Sequence, residues 1–149
     1  MKFIHYIEEG IKNAINKGED ATIKQNLELV RIYLTGSLTG DFDSIQSIYD
    51  KNVNFEVPEM GLQLKGIEQV RESFEMFTSM IKEQDLVQVP KVFCMSNRIV
   101  INFKAVFVVS QENPWVPIGK KVNESDIQIL DVGDSGKIFR EVHCQSFTY

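Results

Sequence analysis

The sequence predicts an α+β domain, and three observations carry that prediction. Apolar residues recur at helical spacing in the first half of the chain, as far as Ile81. From Leu86 onward they follow strand spacing instead. One earlier strand, Val53 to Val57, lies between helical stretches. Helices therefore come first and a run of strands follows, the order expected when helices and sheet are segregated rather than alternating.

The elements follow in order. Phe3, Ile4, Ile7, Ile11, Ala14 and Ile15 form the face of an amphipathic N-terminal helix, which Lys17-Gly18 ends. A second helix starts at Ala21 or Thr22. Ile23, Leu27, Val30 and Leu34 are its stripe, Leu29 and Tyr33 widen it, and Gly36 to Gly40 closes it. Gly40-Asp41 is a turn, and Asp41 or Asp43 caps a short helix that points Ile45, Ile48 and Tyr49 inward. Asp50-Lys51-Asn52 reads as the next turn. Val53, Phe55 and Val57 then alternate with Asn54 and Glu56, the pattern of a half-buried strand. Gly66 precedes another helix, whose face is Val70, Phe74, Phe77, Met80 and Ile81. Leu86 to Cys94, Arg98 to Val109, Lys120 to Val132 and Lys137 to Tyr149 read as four strands, with Ser96-Asn97 and Gly133 to Gly136 as turns. The sheet is expected to be mostly antiparallel and curled around the long helices. The connection Gln111 to Pro117 carries Trp115, the only tryptophan, as a lid over a pocket or an anchor in an interface.

Composition narrows the functions. At 149 residues with 43% hydrophobic and 25% charged residues, the chain has the makings of a single globular core. A net charge of −5 supplies no basic stripe for nucleic acid, and it disfavours an anionic membrane surface as well. The start, MKFIHYIEEG, is interrupted by His5, Glu8 and Glu9 and does not read as a secretion signal, so a cytoplasmic location is expected. Cys94 and Cys144 read as two free, buried thiols, a disulfide between them being the alternative. No metal and no cofactor is implied. The only histidines, His5 and His143, lie on distant elements without partners at ligand spacing, and no glycine-rich loop opens a helix to cradle phosphate.

Gly40-Asp41, Ile45 to Tyr49, Val53 to Pro58, and Gly66-Ile67-Glu68-Gln69-Val70 together resemble the nuclear transport factor 2-like superfamily, which includes SnoaL-like polyketide cyclases and ketosteroid isomerases. Gly136-Lys137-Ile138 resembles the family's usual entry to its last strand. The resemblance spans residues 20 to 149. It divides the chain into an N-terminal helical extension, residues 1–20, outside the shared core, and a SnoaL-like domain, residues 21–149. It implies a cone, a strongly bent sheet wrapped around about three helices with a pocket at the wide end. Val53, Phe55 and Val57 would face that pocket.

The resemblance also assigns site residues. The catalytic aspartate of ketosteroid isomerases would fall on Val57, which cannot move a proton, so that route is closed. Tyr33 matches the isomerases' helix tyrosine, although an aromatic at this spacing serves equally as core. Asp126 matches their second carboxylate only with a gap before Gly136; otherwise it is an exposed strand aspartate. In the last strand Ile138, Arg140, Val142, Cys144 and Ser146 alternate with Phe139, Glu141, His143, Gln145 and Phe147. The cyclases' acid–base residue falls on His143, and the histidine that often precedes it falls on Glu141. Both would then share one face beside an apolar cavity, with Glu141 orienting the imidazole. The competing reading sets both on the outer face.

Two functions of different classes follow. One is binding of a small, largely apolar molecule by Val53, Phe55, Val57, Phe74, Phe77, Met80, Asp126 and Trp115. His143, Glu141 and Tyr33 would then be candidates for cyclase, isomerase or dehydratase chemistry. The other is a non-catalytic homodimeric interaction module that pairs through the outer sheet face. Val100, Val106 and Val108 alternate with Ile101, Phe103, Phe107 and Val109 on one strand, leaving both of its faces apolar.

Overall fold

The computed structural model describes residues 2–114 and 116–149. Four helices pack against one mixed sheet of eight strands that curls without closing on itself. The helices are α1 (Lys2–Lys12), α2 (Asp20–Thr39), α3 (Phe42–Gln46) and α4 (Ile67–Met80). The strands are β1 (Ile15–Lys17), β2 (Tyr49–Val57), β3 (Leu62–Lys65), β4 (Ile81–Leu86), β5 (Lys91–Met95), β6 (Arg98–Val109), β7 (Lys121–Val132) and β8 (Ile138–Thr148). Their order is β1-β5-β6-β7-β8-β2-β3, with β4 pairing to the far half of β6. The β1–β5 and β2–β8 pairs are parallel and the rest antiparallel.

The core lies between α2 and the middle of the sheet. Val30, Tyr33 and Leu34 of α2 are buried against Ile99, Ile101, Leu130 and Ile138. Leu27, expected in the same stripe, is only half-buried; Asn26 takes the inner place instead. Its amide donates to the carbonyls of Met95 (2.8 Å) and Ser96 (3.1 Å), so a polar side chain ties α2 to the β5–β6 turn without an unpaired buried group. Phe3 and Ile7 of α1 join this core, and Arg31 of α2 donates to Glu8 at 3.1 Å across the two helices. Gly10 lets α1 sit against the chain at Pro90, because a Cβ there would lie 2.8 Å from the Pro90 carbonyl oxygen.

Several element boundaries differ from the sequence reading. The first helix stops at Lys12, and Ile15, expected on its apolar face, lies in β1 and is 63% exposed. Backbone pairing along the open edge of β5 prevails over burial of one side chain. Asp50 to Asn52 are not a turn between elements but part of β2. The Asn52 N–H still donates to the Asp50 carboxylate at 2.8 Å, and a register shift between Tyr49 and Asn54 absorbs this local turn within the strand. The stretch Leu86 to Cys94 is two strands, β4 and β5, broken before Pro90, which has no N–H to give a ladder. Ile81 opens β4 instead of closing α4. Cys94 is buried, but Cys144 is exposed, and both are free thiols.

The largest departure concerns the last strand. Val132 pairs with Ile138, yet the next residue back, Asp131, pairs with Arg140. Phe139 is therefore an extra residue in β8, and it is 45% exposed where strict alternation would have turned it inward. Ile138 below this bulge and Glu141 above it both point inward, although their positions in sequence are of opposite parity.

The turn joining α2 to α3 depends on close approach. Gly40 adopts φ 69° at the end of α2, the Asp41 N–H reaches the Gly36 carbonyl at 2.9 Å, and the Asp41 carboxylate caps α3 by accepting from the Ser44 N–H at 3.2 Å. Asp43, the other candidate cap, instead meets Arg71 at 2.7 Å. A Cβ on Gly36 would lie 2.2 Å from Ile45 Cγ2 and 3.0 Å from the Asp41 carbonyl oxygen. Gly36→Ala is expected to destabilise the protein by about 1–3 kcal/mol through this overpacking, read as a lower urea midpoint; an unchanged midpoint would show that α3 is not seated as described.

Candidate functional site

The wide end of the curled sheet holds a cavity of about 340 Å³, at the small end of the roughly 300–1,000 Å³ of ligand pockets. Its wall is mostly apolar: Phe42 of α3, Phe55 and Val57 of β2, Phe74, Phe77 and Met80 of α4, and Phe103 and Phe107 of β6 all face it. A bulge in β4 between Lys82 and Asp85 holds Glu83 at φ 57°, and Gln84 beside it lines the cavity. A non-glycine residue in this left-handed region is strained, and such strain persists where surrounding structure fixes it.

Polar groups gather on one side, where β7 and β8 run together. The inward face of β7 presents Glu124, Asp126 and Gln128, and that of β8 presents Glu141, His143 and Gln145. The ladder sets Gln128 opposite His143 and Asp126 opposite Gln145. Glu141 is 1% exposed and makes the densest set of contacts. Tyr49 O–H donates to its Oε1 at 2.5 Å, Tyr33 O–H donates to its Oε2 at 2.9 Å, and His143 Nε2 contacts the same Oε2. The Tyr33 hydroxyl also lies 3.1 Å from His143 Nε2. On the other side of the ring, Nδ1 has Gln145 Nε2 at 3.4 Å and Asp126 Oδ2 at 3.8 Å. The Phe55 ring tilts over the imidazole with centroids 4.7 Å apart.

Of the residues singled out from the sequence, Tyr33, Phe55, Val57, Phe74, Phe77, Met80, Asp126, Glu141 and His143 all line this cavity. Val53 does not. It is fully buried in the hydrophobic core below the cavity. Asp126 is 1% exposed, not a surface residue. Trp115 lies outside the described residues. Tyr49, Glu124, Gln128, Gln145, Phe103 and Phe107 were not foreseen. Val122, Glu124, Asp126, Gln128 and Leu130 share one face of β7, and the apolar residues at its two ends were the available signal that the polar three between them also point inward. Among the described residues no group of three or more His, Cys, Asp or Glu could hold a metal ion, and no helix is long and apolar enough to cross a membrane.

No protein-family model matches the chain, and no curated protein sequence matches it. Solved structures do. A candidate polyketide cyclase from Xanthomonas campestris is 16% identical, covers 83% of this chain and 91% of its own, and superposes with a TM-score of 0.73. A nuclear transport factor 2-like protein from Anabaena variabilis is 17% identical, covering 88% of this chain and 92% of its own at a TM-score of 0.69. A candidate isomerase from Bacillus subtilis is 18% identical, covering 84% and 88% at a TM-score of 0.69. The fold is thus the nuclear transport factor 2-like, SnoaL-like cone; at these identities the likeness extends to shape and not to chemistry.

Burial sets the electrostatics of the polar wall. It raises Tyr33 and Tyr49 well above the ordinary phenol value, and the Glu141 charge adds to this, so both hydroxyls keep their protons and remain donors. Burial, reinforced by the Asp126 carboxylate, pushes Glu124 up to about 8. Asp126 is raised by burial against the pull of His143. For His143 burial opposes the imidazolium, but the charge and hydrogen bond of Glu141, with help from Asp126 and Glu124, prevail and its pKa is raised. The signs agree. Unfolded Glu124 releases its proton near its ordinary value of about 4.5 while the folded protein keeps it to about 8, so stability falls as pH rises through that window. The His143 contribution is complete below about 6.5 and is lost as pH rises through the raised folded value. Urea midpoints are expected to decline between pH 5 and 8 in the wild type, with a shallower decline in Glu124→Gln; parallel profiles would contradict the buried, protonated Glu124.

Proposed function

We propose that the cavity binds one small, largely apolar molecule and that His143 carries out proton transfer on it, of the cyclase, isomerase or dehydratase type. The observation that carries this reading is the placement of an imidazole, held by Glu141, at the polar end of an otherwise aromatic cavity. The names of the structural neighbours, candidate cyclases and an isomerase, run in the same direction. Glu141 and Tyr33 occupy Nε2, which leaves Nδ1 as the nitrogen able to give a proton to, or take one from, a bound carbonyl compound. Glu141 is then a positioning residue, acting through the imidazole, and Tyr33 and Tyr49 hold its carboxylate. The two free thiols fit a reducing compartment, so we place the protein in the cytoplasm.

Solvent-deuterium exchange at the acidic carbon of 2-tetralone, followed by NMR, tests the assignment. The wild type is expected to accelerate exchange, and His143→Gln to lose about 10²–10⁴-fold of that rate while still binding the ketone. Glu141→Gln is expected to move the pH profile of exchange downward, because burial then acts on the imidazole without its counter-charge. Unchanged exchange in His143→Gln would remove the histidine from the chemistry.

One observation favours the interaction module as a second reading. Phe93, Val100, Ile129 and Val142 are consecutive cross-strand partners through β5, β6, β7 and β8, forming an apolar row on the sheet face turned away from the helices. Ile127, 42% exposed, lies beside that row. We propose that two copies pair through it. Light scattering should give a dimer mass for the wild type and a monomer for Ile127→Lys; a wild-type monomer at micromolar concentration would dispose of the pairing.

A further inference from the structure

We infer that Asp126 and Gln128 form an acceptor clamp that selects a neutral ligand head carrying two neighbouring O–H donors. The inference rests on the cavity being a ligand site, as proposed above, and adds what the ligand must look like at its polar end. Asp126 is 1% and Gln128 5% exposed, and both line the cavity. Among the described residues, the buried side-chain oxygens and nitrogens without a hydrogen-bond partner are two, Asp126 Oδ1 and Gln128 Oε1. Both are acceptors. Buried polar atoms are nearly always paired, so two orphans side by side in the wall of a cavity mark where a guest supplies what the protein does not.

The geometry explains why they are neighbours. Asp126 and Gln128 are two residues apart on the same face of β7, and Gln128 Nε2 donates to Asp126 Oδ2 at 3.0 Å, which draws the two heads together and leaves one oxygen of each unused. Apart from the His143 Nδ1–H, the donors of the same wall are already committed, the Glu124 proton and the Gln145 amide to Asp126. The Tyr33 and Tyr49 hydroxyls give to Glu141, and the Gln128 amide gives to Asp126. The wall therefore asks for donors. A purely hydrocarbon guest leaves both oxygens unpaired. A site built to receive hydrogen bonds rejects an analogue that lacks them more strongly than an apolar pocket rejects an extra group. An ammonium head would also bring two or more donors, but His143 Nδ1 lies 3.8 Å from Asp126 Oδ2 and its positive charge repels a second cation there. A neutral diol or dihydroxyarene meets both demands.

Calorimetric titration with a set of naphthalenes tests this. The 2,3- or 1,3-dihydroxy compound is expected to bind at least about tenfold tighter than naphthalene, 2-naphthol and the 2,7-dihydroxy isomer, whose donors are too far apart. It is also expected to bind tighter than 2-(aminomethyl)naphthalene. In Gln128→Leu the preference should shrink toward that of a single donor, and the near-isosteric Gln128→Met gives the same comparison if the leucine variant does not fold. Equal affinity across the neutral set, or a preference untouched by both variants, overturns the clamp while leaving the pocket. Tighter binding of the amine overturns the neutral head. If no probe binds, the pocket reading itself falls and the clamp falls with it.

Discussion

A carboxylate cannot stay unpaired in an apolar interior, and the arrangement around Glu141 follows from that constraint. Its two oxygens draw a tyrosine from the long helix, a tyrosine from the start of the second strand and a histidine from its own strand into one contact set. These residues are separated by as many as 110 positions along the chain. Their meeting fixes the height of α2 over the sheet and the angle at which β2 enters beside β8. Removing one member of such a buried pair costs about 3–5 kcal/mol, whereas apolar residues of similar volume can match or exceed the stability of the intact pair. Packing alone therefore gives no reason to keep it, and the cavity beside it does.

Much of the architecture was legible from the residues. The stripe on α2, the Gly40-Asp41 turn and the long alternation of β6 each follow from a period or a turn chemistry that leaves little choice. The failures share a cause. At Ile15, at Asp50 to Asn52 and at Leu86 to Pro90, backbone pairing partners far away in sequence decided the outcome, and no local pattern records them.

The site was half legible for a related reason. In the middle of β7 the apolar Ile127 and Ile129 face outward, and the polar Glu124, Asp126 and Gln128 face the cavity. A reader who assigns oil to the inside inverts that strand. Only the fully buried Val122 and Leu130 at its ends give the orientation away. His143 and Glu141 were found because a family resemblance pointed to their strand. The sequence sets Tyr49 on the inward side of a short helix, where nothing marks it as the second hydroxyl on Glu141. Its role depends on β2 beginning four residues earlier than the alternation of Val53, Phe55 and Val57 suggests.

The surplus residue at Phe139 has a wider consequence. It acts as a phase shift placed at the narrow end, next to the Gly133–Gly136 turn, so that Ile138 belongs to the packing of the helices and everything from Glu141 on belongs to the hollow. Above the shift β8 is regular. Side chains at 145 and 147 can therefore be exchanged without touching the contacts through which Glu141 and His143 hold α2. One strand thus carries two separable texts, a short one that closes the scaffold and a longer one that addresses the guest. A cone built this way can keep its outline while its contents are rewritten.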